Sequence, residues 1–300
     1  MIELKGISKS FKKDFYSSKF QALNNVSFKI NEGDLVGFLG ANGAGKTTSL
    51  KIILNFIKPD SGVVEYSSKV GGSFNNFLKN LGYLPERPYF HANLTGREFA
   101  EYMAKLHDIK RVEYNESINK WSQRLNISHA LDRKLQNYSK GMLQRIGFVS
   151  CLIHNPSFLI LDEPVSGLDP VGRREMKDVM LELNKMGKTI FFSSHIVSDI
   201  EEICNDLIVL DKGELIYSGE VNTLLTKESK NITEAIFESK NAENYKVFGK
   251  VDRLSINNFR IIIEKDSVDF LRLLTTNQDR LVKFSELKPT LEEIIYKSDR

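Results

Sequence analysis

Residues 2 to 11 and 21 to 30 alternate apolar and polar side chains, the pattern of half-buried antiparallel strands. The texture then changes to short unbroken apolar runs. Leu35-Val36-Gly37-Phe38-Leu39 is the first, and Leu81-Gly82-Tyr83-Leu84 is another, closed by Pro85. Phe158-Leu159-Ile160-Leu161 and Thr189-Ile190-Phe191-Phe192 follow, with a helix-like segment from Val171 to Met186 between them. Runs of strand length around a helical segment predict a βαβ unit in a parallel sheet buried on both faces. Pro59-Asp60-Ser61-Gly62 is a turn signal leading into a strand over Val63-Val64-Glu65-Tyr66. From about 91 to 155 the spacing is helical. Thr95 and Glu98 form a capping box that opens a helix through Leu106, and Trp121 to Leu125 and Gly141 to Ile153 continue the pattern. Leu207 to Leu210 and Leu215 to Tyr217, joined across Asp211-Lys212-Gly213, predict a hairpin.

Beyond Glu220 the pattern is different. Residues 223 to 232 are polar and lysine-rich. Strand-like pieces (Ala235-Ile236-Phe237 and Phe259 to Ile263), a helix over Val268 to Thr275, a strand near Val282 and a helix from Thr290 come after. This segment reads as a separate small α+β domain.

The bulk composition narrows the class. The 300 residues are 41% hydrophobic and 27% charged, as in an ordinary globular protein. A net charge of +3 gives no argument for nucleic acid, and no strongly basic stripe is present. No apolar run approaches the ~20 residues needed to span a bilayer. The start MIELKGISKSF lacks a signal-peptide apolar region. Cys151 and Cys204 are too few for a disulfide framework and read as reduced core residues.

The candidate chemistry begins at GANGAGKTT, Gly40 to Thr48, which lies between the Leu35–Leu39 run and a helix-like run, Ser49 to Phe56. Strand, glycine-rich loop and helix make the setting of a phosphate-binding loop. Gly40, Gly43 and Gly45, with Asn42 and Ala44 between them, let the backbone curl so that successive N–H groups face phosphate oxygens. The helix adds its positive N-terminal end. Lys46 can reach the β- and γ-phosphates, the Thr47 hydroxyl can ligate Mg²⁺, and Thr48 completes the motif. A second constellation, Asp162-Glu163-Pro164, ends the Phe158–Leu161 run. Beside a phosphate loop, Asp162 would orient Mg²⁺ through water and Glu163 would act as general base toward the attacking water.

Three further segments complete a set: Tyr138-Ser139-Lys140-Gly141-Met142-Leu143-Gln144-Arg145, Ser166-Gly167-Leu168-Asp169-Pro170, and Ser193-Ser194-His195. In this order the chain resembles the ATP-binding cassette of ABC ATPases over about residues 2 to 220. Walker A matches 40–47, the glutamine-loop region 82–88, the signature 138–145, Walker B 158–163, the D-loop 166–169 and the switch histidine His195. The resemblance implies a P-loop α/β fold: a RecA-like parallel-sheet core, an antiparallel β subdomain and a helical subdomain at about 86–155. It places the ATP-binding domain at 1–222 and a small C-terminal α+β domain at 223–300.

It also implies a mechanism with ATP and Mg²⁺. Two cassettes form a head-to-tail sandwich, in which Ser139 and Gly141 contact the γ-phosphate across the interface and Asp169 belongs to the D-loop. Ser139 is equally readable as a helix N-cap. His195 would bond the γ-phosphate and sense its loss. Phe11 matches the aromatic that stacks on adenine, with Phe15, Tyr16 and Phe20 as rivals.

Two positions depart from the family pattern. Glu86, in LGYLPERP, stands where glutamine is usual; its oxygens could still ligate Mg²⁺. The signature reads YSKGM rather than LSGGQ, so Lys140 adds a positive charge near the nucleotide. Both departures resemble a bacterial export-type branch, whose trailing domain often ends like Leu287 to Tyr296. Thr290 to Glu293 is also an ordinary capping box.

The function implied is the ATPase subunit of a membrane exporter, peripheral on the cytoplasmic face of the cell membrane. It would drive a separate transmembrane permease subunit, dock through Pro85 to Asn93 and the helices after it, and pair with a second cassette, without nucleic acid. The alternative is a soluble ABC ATPase acting on ribosomes or DNA. A P-loop GTPase or small-molecule kinase lacks support: no guanine-reading NKxD-like motif follows the phosphate loop, and the signature would go unexplained.

Overall fold

The computed structural model of the chain describes residues 2–12, 19–67, 72–88, 90–228, 232–263, 267–287 and 290–295. Chain contacts divide it into two units, Met1–Val221 and Asn222–Arg300.

The first unit opens with β1 (Ile2–Lys12) and β2 (Lys19–Ile30), paired antiparallel. Strand β4 (Ser61–Tyr66) pairs with the other edge of β1. The alternation seen in sequence has a direct cause. One face, carrying Ile2, Leu4, Val26 and Phe28, packs inward, and the other meets solvent.

A six-stranded sheet of order β5-β6-β7-β3-β8-β9 lies beneath that face. It comprises β5 (Leu81–Leu84), β6 (Phe158–Leu161), β7 (Thr189–Ser194), β3 (Leu35–Leu39), β8 (Asp206–Asp211) and β9 (Glu214–Glu220). The first five run parallel, and β9 returns antiparallel from β8. The β8–β9 turn places Lys212 at φ +45° and Gly213 at φ +84°, the left-handed pair a tight hairpin turn needs. Strands β3, β6 and β7 are buried at every residue, which is why their sequences do not alternate. Phe28, Phe38 and Phe191 tie the two sheets together, with ring centroids 5.0–6.0 Å apart. Each such fully buried ring contributes about 1.5–3 kcal/mol.

Helix α1 (Lys46–Ile53) follows β3. A helical group branches from the sheet between β5 and β6: α3 (Gly96–Leu106), α4 (Arg111–Arg124) and α5 (Lys140–Leu152). The capping box at Thr95 and Glu98 forms as the sequence predicts. Helix α4 begins well before Trp121, because Tyr114, Ile118 and Trp121 form one buried stripe. Helix α6 (Pro170–Lys185) makes the crossover between β6 and β7.

Three short helices lie outside the sequence expectation: α2 (Phe74–Lys79), α7 (Val197–Ile203) and α8 (Val221–Glu228). The first two span six or seven residues, too few for a helical period to show. Helix α8 carries the first part of the polar, lysine-rich segment 223 to 232, up to Glu228.

The second unit is a four-stranded antiparallel sheet of order β11-β12-β10-β13. Its strands are β10 (Ile232–Glu238), β11 (Val251–Arg253), β12 (Asn258–Ile263) and β13 (Arg280–Leu287). Phe237, Tyr245, Ile261 and Phe270, the last from α9 (Ser267–Thr276), form its core. Glu234 on β10 receives hydrogen bonds from Arg260 at 2.6 Å and Lys283 at 2.7 Å. The Thr290–Glu293 capping box forms at α10 (Leu291–Ile295). Tyr296, Phe15 and Tyr16 lie outside the described residues.

Candidate functional site

Parallel strands bring their C-terminal ends to one edge of the sheet, and the site is built there. The loop after β3 starts at Gly40, where a Cβ would stand 2.5 Å from the Leu210 carbonyl oxygen, so only glycine fits. Gly43 and Gly45 take φ +86° and +107°, conformations that favour glycine. Gly45 is the N-cap of α1 and no side chain caps that end, which leaves it suited to an anion. Lys46 Nζ donates to the Gly40 carbonyl at 2.5 Å and to Ala41 at 3.3 Å, holding the loop closed on itself. Burial lowers the Lys46 ammonium from its ordinary value, while the carboxylates of Glu163, Asp162 and Glu86 draw it back up.

The β6–β7 pairing sets Leu161 opposite Phe192. The residues that follow each strand therefore meet. Ser193 Oγ donates to Asp162 Oδ1 at 2.6 Å and accepts from the Glu163 backbone N–H at 2.9 Å. The Asp162 backbone N–H donates to the Leu84 carbonyl at the end of β5, at 2.7 Å. Burial raises the Asp162 carboxyl above the usual range; Ser193 is the largest opposing influence, and Glu86 raises it further. Lys46 and a hydrogen bond with Thr47 act against the rise.

Glu163 holds a left-handed backbone, φ +52°, which is uncommon for a non-glycine residue. Its carbonyl accepts from the buried Gln144 side chain at 3.4 Å. Its carboxylate, an acceptor only, receives a hydrogen bond from His195 Nδ1, 2.9 Å from Oε2.

These groups share one cleft of about 300 Å³. Phe11, Asn42, Gly43, Gly45, Lys46, Thr47, Thr48, Glu86, Asp162, Glu163 and His195 line it, together with Phe20, Ala22, Ala41 and Ser166. Gly40 and Ala44 belong to the loop but do not line the cleft. Phe11 faces Phe20 across the β1–β2 pair, so two rings, not one, stand at the mouth. The oxygen donors of Thr47, Asp162 and Glu86 fit a hard divalent cation such as Mg²⁺, which takes few protein ligands beside phosphate and water.

Besides Gly40 and Ala44, three sequence candidates do not line this cleft. Ser139 caps α5, accepting from the Met142 N–H at 3.2 Å. Asp169 caps α6, accepting from the Gly172 N–H at 3.0 Å. Gly141 lies beside Leu168. The Lys140 ammonium reaches Ser166 Oγ, which lines the cleft, at 3.3 Å, and its stem lies over Gly167. Sequence reasoning missed Ser193 and Gln144. Ser193 stood within the quoted Ser193-Ser194-His195 run, but its partners depend on strand pairing.

The family model described as ABC transporter matches residues 23–166. An uncharacterized ABC transporter ATP-binding protein of Bacillus subtilis, YhcH, is 31% identical over 98% of this chain and 94% of its own length. A second from that organism, YxlF, is 35% identical over 77% of this chain and 75% of its own length. An uncharacterized ABC transporter ATP-binding protein of Synechocystis is 40% identical over 75% of this chain, and the match spans only 64% of that relative's length. Among solved structures, an ATP-binding subunit of an ABC transporter superimposes with a TM-score of 0.66 at 26% identity, over 75% of this chain and 92% of that one. A bacterial ABC transporter cassette solved as a dimer shares the fold at the same TM-score and 24% identity, over 74% and 99%. The fold and the site define a P-loop nucleotide-binding domain of the cassette type. The chain belongs to the family of ABC transporter ATP-binding proteins.

Proposed function

We propose that this chain is the ATP-hydrolysing subunit of an export-type ABC transporter. It works as a nucleotide-sandwich dimer at the cytoplasmic face of the membrane and drives a separate transmembrane subunit. One observation carries the reading: Lys46, Thr47, Asp162, Glu163 and His195 converge on one cleft, with His195 hydrogen-bonded to Glu163. The loop N–H groups and Lys46 bind the phosphates. Thr47, Asp162 and Glu86 would hold Mg²⁺, which would neutralise phosphate charge. Glu163 takes a proton from the attacking water. His195 orients the Glu163 carboxylate and contacts the γ-phosphate. Ser139 spends one oxygen lone pair on capping α5, and its O–H is left to donate to the partner cassette's nucleotide. Phe11 and Phe20 stack on the base.

A transport role is supported by a bacitracin transport ATP-binding protein of Bacillus licheniformis, 36% identical over 65% of this chain and 64% of its own length. Among the described residues no helix is long and apolar enough to cross a membrane, which is consistent with a separate spanning subunit. The residues reading Pro-Glu at 85–86 and Ser-Lys-Gly-Met at 139–142 support the export branch. Affinity purification of the tagged chain from gently solubilised cells tests the proposal. A stoichiometric polytopic membrane protein in the eluate is the expected result. Recovery with ribosomes or DNA instead would refute it.

A further inference from the structure

Helix α5 runs from the signature segment alongside the turn that carries Glu163. Lys140 and Gln144, spaced i to i+4, meet that turn. Lys140 reaches Ser166 Oγ at 3.3 Å and Gln144 Nε2 reaches the Glu163 carbonyl at 3.4 Å. Beside them Gly141 lies against Leu168, and Arg145 ties the helix to Glu175 on α6 at 2.5 Å and to the Leu125 carbonyl at 2.6 Å. Gln144 is buried, so its amide has no water to turn to, and its donor is aimed at a backbone that is itself unusual. The left-handed conformation of Glu163 is strained and persists only if its surroundings hold it. Ser193 binds its N–H, and its carbonyl accepts from the Ser166 backbone N–H at 3.0 Å and from the Gln144 side chain. Gly167, at φ +75°, has no Cβ, and this lets the Lys140 stem lie over it; a Cβ there would stand 2.5 Å from Lys140 Cδ.

We infer that Gln144 and Lys140 are positioning residues through which α5 sets the Glu163–Gly167 turn, so that the helix end engaging one nucleotide fixes the general base serving the other. The inference rests on the sandwich proposed above. In that arrangement Ser139, one residue before Lys140, meets the partner's nucleotide, while Ser166 and Glu163 face the chain's own. One helix therefore touches both sites of the dimer. A displacement of its first turn is passed to Ser166 by Lys140 and to Glu163 by Gln144.

The test uses the full chain. Gln144→Met keeps the volume and removes the donor. Its kcat should fall about ten-fold or more, the scale of a misplaced catalytic group, with ATP affinity within about two-fold of the parent. Lys140→Met should lower kcat by a smaller factor, and Lys140→Arg, which keeps a donor, should restore it. In a Glu163→Gln background, Gln144→Met should cost nothing further, because the group it positions is gone. A purely structural role would instead add its loss in both backgrounds and lower the melting temperature. The inference is overturned if Gln144→Met leaves kcat within two-fold, or if kcat and ATP affinity fall together. It is likewise overturned if the losses from Gln144→Met and Glu163→Gln simply add. Near-parental turnover by Glu163→Gln alone would refute the general-base reading itself, a result separate from any of these.

Discussion

Ser193→Ala is the substitution whose effect can be worked most directly from the structure. The hydroxyl is fully buried and serves two partners at once. Removing it deletes a hydrogen bond to an ionisable carboxylate, worth about 1.5–3 kcal/mol. It also leaves the Glu163 N–H buried without an acceptor, a further cost of about 1–3 kcal/mol. Together the loss is about 2.5–6 kcal/mol, which in a unit of this size lowers the melting temperature by roughly 5–24 °C. The neighbour Ser194 is an internal control. It is equally buried but bonds only the backbone of Ile196, at 3.0 and 3.3 Å. Its alanine variant should lose about 1 kcal/mol.

Asp162 gives a second readout. Burial raises its pKa, and the Ser193 hydrogen bond is the largest influence holding the rise down. Without Ser193 the carboxyl is protonated at higher pH. Mg²⁺ needs the carboxylate, so the acid side of the ATPase profile should move upward in pH. For the fold the sign is opposite: a raised carboxyl favours the folded chain when protonated, and that contribution is lost as pH rises through the folded value. Calorimetry on both serine variants and Mg²⁺-dependent ATPase profiles would decide the matter. If Ser193→Ala melts with Ser194→Ala and its acid limb does not move, the bridging role assigned to Ser193 is wrong.

Glu163→Gln should bind ATP and hydrolyse it at least ~100-fold more slowly in a phosphate-release assay, the scale of lost general-base catalysis. Ser139→Ala should lose about 1 kcal/mol of cap energy and impair hydrolysis, while nucleotide titration of the monomer stays unchanged. Loss of monomer binding would contradict the composite site. Cys151 is buried and its thiol is pushed up to about 12 by burial, so a thiol reagent at neutral pH should label it only on unfolding. Prompt labelling of the native chain at Cys151 would contradict that burial.

Much of the parallel core could be read from sequence because burial on both faces makes β3 and β6 unbroken apolar runs and keeps Ile190 to Phe192 of β7 apolar. The phosphate loop was equally legible, since its glycines are dictated by conformation and by close approach to Leu210. Other features depend on what lies across the fold. Ser193 acquires its role only when β7 pairs beside β6, and no local spacing announces that. The i, i+4 relation of Lys140 and Gln144 is local, yet its meaning depends on the Glu163–Gly167 turn lying alongside. Phe20 could not be separated from Phe11 until the hairpin register set them opposite each other. The short helices α2 and α7 are held by packing and carry too few residues for a period. The three residues of β11 are likewise defined only by their neighbour β12.

The left-handed backbone at Glu163 also bears on how this chain can be engineered or can drift. Asparagine accepts that conformation more readily than glutamate does, so Glu163→Asn relieves part of the local strain. On the proposed general-base role, a search for thermostable variants that ignored turnover would collect such replacements, each sturdier and each without its base. Robustness and the proposed activity then pull in opposite directions at this one residue, and selection on ATP consumption would keep the glutamate in place.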